Sequence, residues 1–212
     1  MHAALAAECE GEVRSDAYTR HLFAGDASMY AIEPLAVAFP RHVADVVAAI
    51  EVSRERGVPL LARGAGTSLA GQTVGRALVL DLSRHMSDIV EIDPEARTAR
   101  VQPGVVQDDL KRAAQHHGLM FGADTSTSNR ATLGGMIGNN SSGSHSVRFG
   151  MTCDHVRLMA WEGDHQRFDR VHARVARVEM PRVGIAPNFT LAFGGKDRVQ
   201  LRDIDVEIGG RQ

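Results

Sequence analysis

The residues best suited to chemistry in this chain form one short run, Arg63-Gly64-Ala65-Gly66-Thr67-Ser68-Leu69-Ala70-Gly71. Glycines and hydroxyl residues packed so densely are costly to order unless the backbone must approach something closely. A turn of this composition can aim successive N–H groups into one concavity, which suits an anion. Arg63 would add positive charge at the rim, and Thr67 and Ser68 would add hydroxyl donors. The run reads as a pyrophosphate cradle, although a glycine-rich tight turn between strands has the same composition. The dinucleotide fingerprint needs glycine three places after Gly66, where Leu69 stands, and no Gly-Lys-Ser or Gly-Lys-Thr occurs to make a P-loop.

A second stretch, from Asp124 to His145, is dense in hydroxyls, amides and glycine. Such a composition also occurs in disordered linkers. Here, however, Leu133, Met136 and Ile137 supply a helical apolar face, and Thr132 is a good N-cap. Gly134 and Gly135 would let a ligand or another backbone approach the first turn. That turn would then offer free N–H groups, a second anion-favouring site. Other reactive residues are less promising. His116 and His117 are neighbours on a helix and do not face one point. Glu162 and Asp164 lie in a turn with nothing to position them, and Asp154-His155 reads as a strand start. Met120, Met136 and Met159 read as core filling.

The elements that must position these loops follow from periodicity. Residues 1–30 suggest an N-terminal helix with an irregular lead-in from Asp26 to Tyr30. Leu35 to Phe39 reads as a strand stopped by Pro40. Val43, Val46, Val47 and Ile50 share one helical face, ending at Arg54, Arg56 and a capping Gly57. Val58 to Ala62 reads as a buried strand entering the first loop, and Ala77 to Leu82 as a strand leaving it. A hairpin is expected over 89–93 and 98–102, around the turn residues Asp93-Pro94. A helix is expected from Val106 to His117, with Val106, Leu110, Ala113 and Ala114 inward and Gly118 as its cap. Asp154 to Trp161 reads as a strand, and from Val171 to Ile208 the pattern is of alternating, exposed-face strands.

Composition excludes some functions. The net charge of −2 gives no footprint for nucleic acid or an anionic membrane. No apolar run is long enough to span a bilayer. The first residues, Met1 to Glu8, lack the basic region of a signal peptide. Cys9 and Cys153 form neither a metal motif nor a disulfide framework, so a reducing cytoplasm is the expected setting and no metal is expected.

Taken together and in order, several words carry a resemblance. They are Pro40-Arg41, the run from Arg63 to Gln72, Val79 to Arg84, Ile92 to Val106, and Ser126 to Ser141. Residues from about Asp16 to Ala160 resemble the flavin-binding domain of the vanillyl-alcohol oxidase/p-cresol methylhydroxylase (PCMH) superfamily. The nearest branch is the FAD-linked D-2-hydroxyacid dehydrogenases of the D-lactate, glycolate and D-2-hydroxyglutarate types, some with an added iron–sulfur module. The resemblance implies an α+β fold, a small βαβ subdomain plus a mixed sheet flanked by helices. It implies that Arg63, Gly64, Ala65, Gly66, Thr67, Ser68 and Gln72 surround the FAD pyrophosphate. Thr132, Gly134 and Gly135 would sit against the cofactor. Asn139 and the Ser142-Gly143-Ser144 turn would lie near the flavin or ribityl chain. Some relatives attach FAD through a histidine in the first loop; Thr67 stands in that place, so non-covalent FAD is expected. His145 is expected to be a solvent-facing loop residue.

The resemblance divides the chain into a lead-in (1–30), a PCMH-type FAD-binding part (31–164) and a divergent strand-rich tail (165–212). That tail matches no word of the family, so the chain is expected to be a fragment or a piece with a replaced tail. No catalytic residue is assigned, because the substrate-side base lies in a cap domain in the family. The complete enzyme would oxidise a small 2-hydroxyacid, with a cap or an iron–sulfur electron-transfer chain possible as a separate partner. A flavin-binding module without turnover and a degenerate fragment are the alternatives.

Overall fold

The structure is a computed structural model that describes residues 2–157, 204–207 and 209–210. Its first sheet holds β1 (Glu12–Arg14), β2 (Ala36–Phe39), β3 (Leu60–Arg63) and β4 (Leu78–Asp81) in the order β1-β2-β4-β3. Strands β2, β4 and β3 run parallel, and β1 is antiparallel at one edge. Ala36 to Phe39 and Leu78 to Asp81 are buried throughout, as expected for inner parallel strands covered on both faces. The strand period of two sends Ala36, Ala38, Leu78 and Leu80 to one face and Val37, Phe39 and Val79 to the other. The first face packs against α3 (Val43–Glu55) through Val46, Ala49 and Val52, and against Leu5 of α1 (His2–Glu8).

The lead-in is more structured than its weak periodicity suggests. It contains α1, β1 and α2 (Ala17–Leu22), the last capped by Asp16, whose carboxylate accepts from the Thr19 N–H. Buried Asp45, in the first turn of α3, accepts main-chain hydrogen bonds from Glu10 (2.8 Å), Gly11 (3.1 Å) and Arg41 (2.8 Å). This carboxylate ties the lead-in to the sheet.

The expected hairpin is present as β5 (Ile89–Asp93) and β6 (Thr98–Val101). They belong to a second sheet, β5-β6-β9-β8, antiparallel throughout and completed by β8 (Val156–Arg157) and β9 (Ile204–Glu207). Thus Ile204–Glu207, from the region read as a divergent tail, pairs on both sides inside this sheet. A two-stranded piece joins β7 (Leu119–Met120) to β10 (Gly209–Gly210). Helices α4 (Gln107–Gln115), α5 (Leu133–Gly138) and α6 (Ser146–Phe149) accompany it. The second core contains Val101, Leu110, Ala114, Phe121, Leu133 and Met136.

Four details depart from the sequence reading. β3 is an edge strand, half-buried where a buried strand was expected, because β4 takes the inner place. Val106 is the N-cap of α4, and fully buried Gln107 points inward in its stead. Residues Thr152–His155 form a 3₁₀ turn, so the strand expected from Asp154 starts at Val156. Helix α6 had no signal in the pattern. The strands expected over 171–201, and the turn with Glu162 and Asp164, lie outside the described residues.

Candidate functional site

The glycine loop leaves the C-terminal end of β3, the edge of an α/β sheet where ligands commonly bind. Its main-chain N–H groups from Gly64 through Leu69 donate to no described residue. The next, Ala70 N–H, turns back to Gln72 Oε1 at 3.2 Å, and the Ser68 hydroxyl is bonded to the same oxygen. Gln72 therefore closes the loop. No acidic residue lies between Gly64 and Gly75. A continuous row of unpartnered donors, uninterrupted by negative charge, fits a diphosphate.

Arg63 is not at the rim. Its guanidinium donates to the carbonyl oxygens of Phe23 (3.3 Å), Gly25 (2.7 Å) and Thr73 (3.2 Å), and lies 5.1 Å from the Phe23 ring centroid. Gly66, at φ 66°, sits over this guanidinium, where a side chain would collide. The arginine thus braces the loop from behind. Burial lowers its pKa, opposed by Asp26 and Asp81. Further bracing comes from Ala27 N–H to Gly66 O (3.0 Å) and Thr73 Oγ1 to Asp26 Oδ2 (2.9 Å). Asp26 is partly buried, which opposes its charge, but hydrogen bonds from Ser28 and Thr73 outweigh this and hold its pKa below the usual carboxylate value. These braces were invisible in the sequence, where Asp26 to Tyr30 read only as an irregular connection.

The second stretch meets the first where Gly64 lies against Thr132. Gly64 faces Thr132 so closely that a methyl group on Gly64 would overlap Thr132 Oγ1. Thr132, 2% exposed, caps α5 as expected, its Oγ1 accepting from Gly135 N–H at 3.3 Å. The anion-favouring helix start is not present, however. Leu133 N–H donates to Val105 O (2.8 Å) and Gly134 N–H to Pro103 O (2.8 Å), so with Gly135 the first turn is satisfied internally. Gly134 is seated on Pro103, which explains its lack of a side chain as close packing.

Beyond α5, exposed Asn139 folds back, its side-chain amide donating to Gly135 O at 2.9 Å. Ser142 and Ser144 are exposed, and Gly143 between them packs directly on the Asp124 carbonyl. His145 is exposed in a turn, as expected, and in addition its Nδ1 lies 2.9 Å from Asp124 Oδ2. Asp124 is also bonded to Lys111 of α4, and that bond, with the His145 charge, lowers its pKa. Buried Gln107 holds the same loop, its amide bonded to Ala123 O and accepting from Thr125 Oγ1 at 2.6 Å. Gln107, Asp124 and Lys111 escaped the sequence reading because each looks like an ordinary solvated polar residue. Among the described residues, no group of His, Cys, Asp and Glu is placed to hold a metal ion. No helix there is long and apolar enough to cross a membrane.

With the two stretches joined at Gly64 and Thr132, comparison with known proteins decides the family. Residues 34–161 match the model of the FAD binding domain. The chain belongs to this FAD-binding family. It is 41% identical over 150 residues to D-2-hydroxyglutarate dehydrogenase of Haemophilus influenzae, covering 69% of this chain and 15% of that protein. It is 39% identical over 189 residues to glycolate oxidase subunit GlcD of Bacillus subtilis, covering 86% of this chain and 40% of that one. The chain therefore spans about 15% of the length of the D-2-hydroxyglutarate dehydrogenases it matches. The fold is similar to 6-hydroxy-D-nicotine oxidase from Arthrobacter nicotinovorans (TM-score 0.67, 21% identity, 94% of this chain and 42% of that one). It is also similar to alkyldihydroxyacetonephosphate synthase (TM-score 0.69, 17% identity, 93% and 38%). The α+β, PCMH-type fold and FAD as the family's cofactor stand as expected from the sequence.

Proposed function

We propose that this chain is the FAD-holding part of an enzyme that oxidises a D-2-hydroxyacid. The observation that carries the reading is the row of unpartnered N–H groups from Gly64 to Leu69, abutting Thr132 at the start of α5. That loop would hold the FAD diphosphate through Gly64, Ala65, Gly66, Thr67 and Ser68, with Arg63 and Gln72 fixing its shape. Thr132, Gly134 and Gly135 would form the wall against which the cofactor rests. Asn139 and Ser142 to Ser144 would flank the ribityl and flavin end. Thr67, which stands in the place of the attaching histidine of some relatives, leaves FAD non-covalent.

When bound, FAD would supply the hydride acceptor for the substrate α carbon, and the residues of this chain would bind and orient it. The 2-hydroxyacid specificity is supported by the dehydrogenase and glycolate oxidase similarity. A separate cap or iron–sulfur chain would supply the substrate side and the electron exit, and a cytoplasmic setting follows from the same reading. The domain division proposed is 31–164 for the FAD-binding part, with β9 from the tail completing its second sheet.

The test is a visible absorbance spectrum of the purified chain with and without added FAD, followed by anaerobic addition of D-2-hydroxyglutarate, D-lactate or glycolate. Bound, perturbed flavin supports the holding role. Slow or absent bleaching is expected of this chain alone, and rapid bleaching would mean that it carries its own substrate-side base. A colourless protein that leaves the spectrum of added FAD unchanged would refute the assignment.

A further inference from the structure

We propose that Tyr30, flanked by Met29 and Leu69, is an apolar shelf that stacks one planar ring of the ligand whose diphosphate lies on the Gly64–Leu69 main chain. The inference rests on the proposed FAD site. Met29 is 90% exposed, Leu69 81% and Tyr30 53%. A lone exposed apolar side chain is ordinary, but several together mark a surface that another molecule covers. No charged residue lies between Ala27 and Ile32 or between Gly64 and Gly75, so the shelf is uncharged throughout.

Contacts within the chain fix this group against the loop. Asp26 accepts from Thr73 Oγ1 (2.9 Å), and Ala27 N–H donates to Gly66 O (3.0 Å). Residues 26 and 27 are thereby tied to both halves of the loop. Ser28 N–H donates to Asp26 Oδ1 (2.8 Å) and Tyr30 N–H to Ser28 Oγ (3.1 Å), which carries the tie forward to Tyr30. The Tyr30 ring lies against Gly71, where a methyl group would stand 2.7 Å from its Cδ2. Leu69 supplies the last N–H of the unpartnered row and stands two positions before Gly71. The Cα atoms of Leu69 and Gly71 are therefore no more than about 8 Å apart, and the shelf begins where the cradle ends.

The ligand chemistry follows from that adjacency. A dinucleotide held at its diphosphate carries a ring on either side, adenine through a ribose and isoalloxazine through a ribityl chain. A ring tethered so closely settles on the surface next to the cradle. An aromatic side chain takes any planar ring, because stacking does not depend on a hydrogen-bonding pattern. Met29, unbranched and polarizable, and Leu69 supply apolar contact beside it.

The experiment is titration of FAD and of ADP into the native chain, Tyr30→Ala and Tyr30→Phe, read by calorimetry and flavin fluorescence, together with the ¹H spectrum of the native tyrosine rings. Tyr30→Ala should weaken FAD at least about fivefold, the lower end of what a stacked ring contributes. Tyr30→Phe keeps the ring and should bind as the native chain does. An equal loss for ADP assigns the stacked ring to adenine. A loss confined to FAD, with brighter bound flavin, assigns it to isoalloxazine. The native spectrum, which needs no variant to fold, should show the Tyr30 ring signals displaced by FAD, with Tyr18 of α2 as the reference. FAD and ADP affinities of Tyr30→Ala within about twofold of native, or Tyr30 ring signals unmoved in the FAD complex, would overturn the proposal and leave the diphosphate cradle intact. A native chain that binds neither FAD nor ADP would overturn both.

Discussion

Replacing Gly64 by Ala tests whether the two stretches really form one wall. The new methyl would overlap Thr132 Oγ1 and lie 3.3 Å from Thr132 Cβ and 3.4 Å from its Cγ2. Thr132 is 2% exposed and cannot swing into solvent, and its Oγ1 is committed to the Gly135 N–H. Inserting a methyl into such a contact costs about 1–3 kcal/mol, and losing the cap about 1 kcal/mol more. The sum of about 2–4 kcal/mol corresponds to a fall in Tm of roughly 4–16 °C for a chain of this size. Displacing the cradle by the same strain should weaken FAD at least tenfold, since about 1.4 kcal/mol is a factor of ten. The assay is thermal unfolding plus FAD fluorescence titration of Gly64→Ala, Thr132→Ala and the double variant. Removing Oγ1 and Cγ2 makes room for the methyl, so the double variant should be more stable than the summed single effects by about 1 kcal/mol or more. Gly138→Ala, where a methyl meets nothing within 4 Å, is the control: it should leave FAD affinity unchanged and not lower stability, a helical Gly→Ala change adding about 0.4–1 kcal/mol. Strict additivity of Gly64→Ala and Thr132→Ala would show that the two stretches do not touch, and the reasoning would fail.

Further outcomes follow from the same geometry. Arg63→Met strips hydrogen bonds from the carbonyls of Phe23, Gly25 and Thr73. It should destabilise by roughly 2–3 kcal/mol and raise amide exchange across residues 23–32; a loss of FAD with native exchange there would instead put Arg63 on the ligand. Asp45→Ala leaves the N–H groups of Glu10, Gly11 and Arg41 without their acceptor, for a loss of about 3 kcal/mol in urea unfolding. Asp26 has a lowered pKa in the folded chain, so its stabilisation is complete above the unfolded value of about 3.9 and disappears as pH falls through the lower folded value. Urea midpoints of native and Asp26→Asn should therefore differ at pH 7 and converge in strong acid. Burial pushes the Cys9 thiol up to about 11, helped by Asp45. Its protonated form stabilises the fold below the unfolded value of about 8.5, and that advantage is lost as pH rises towards 11. Native protein should lose stability relative to Cys9→Ala across that alkaline range.

How much of this was legible in the sequence depends on which forces set each feature. The loops were readable because glycine, hydroxyl and cap residues have local meanings: Thr132 caps α5, and Gly57 follows α3 at φ 61°. The continuous apolar runs Ala36 to Phe39 and Leu78 to Leu80 located two of the strands. What stayed hidden depends on contacts distant along the chain. Nothing local in Arg63 says that it turns back to Phe23 and Gly25, 38 to 40 positions earlier. Likewise the N–H groups of α5 look free until Pro103 and Val105 are seen beneath them. Gln107 carries the pattern of a solvated residue, and only the Ala123–Thr125 loop packed on it explains its burial. The order of β3 and β4 was equally invisible, since both segments are short apolar runs.

The account turns on diphosphate recognition by the Gly64–Leu69 main chain, and competition measures that most directly. FAD bound to the purified chain should be displaced by ADP, which carries the diphosphate, and riboflavin, which carries only the ring and its side chain, should bind at least tenfold more weakly than FAD. Binding should change little between mildly acidic and mildly alkaline buffer, because main-chain N–H groups do not titrate there. Equal affinity for riboflavin and FAD, with no displacement by ADP, would contradict the claim.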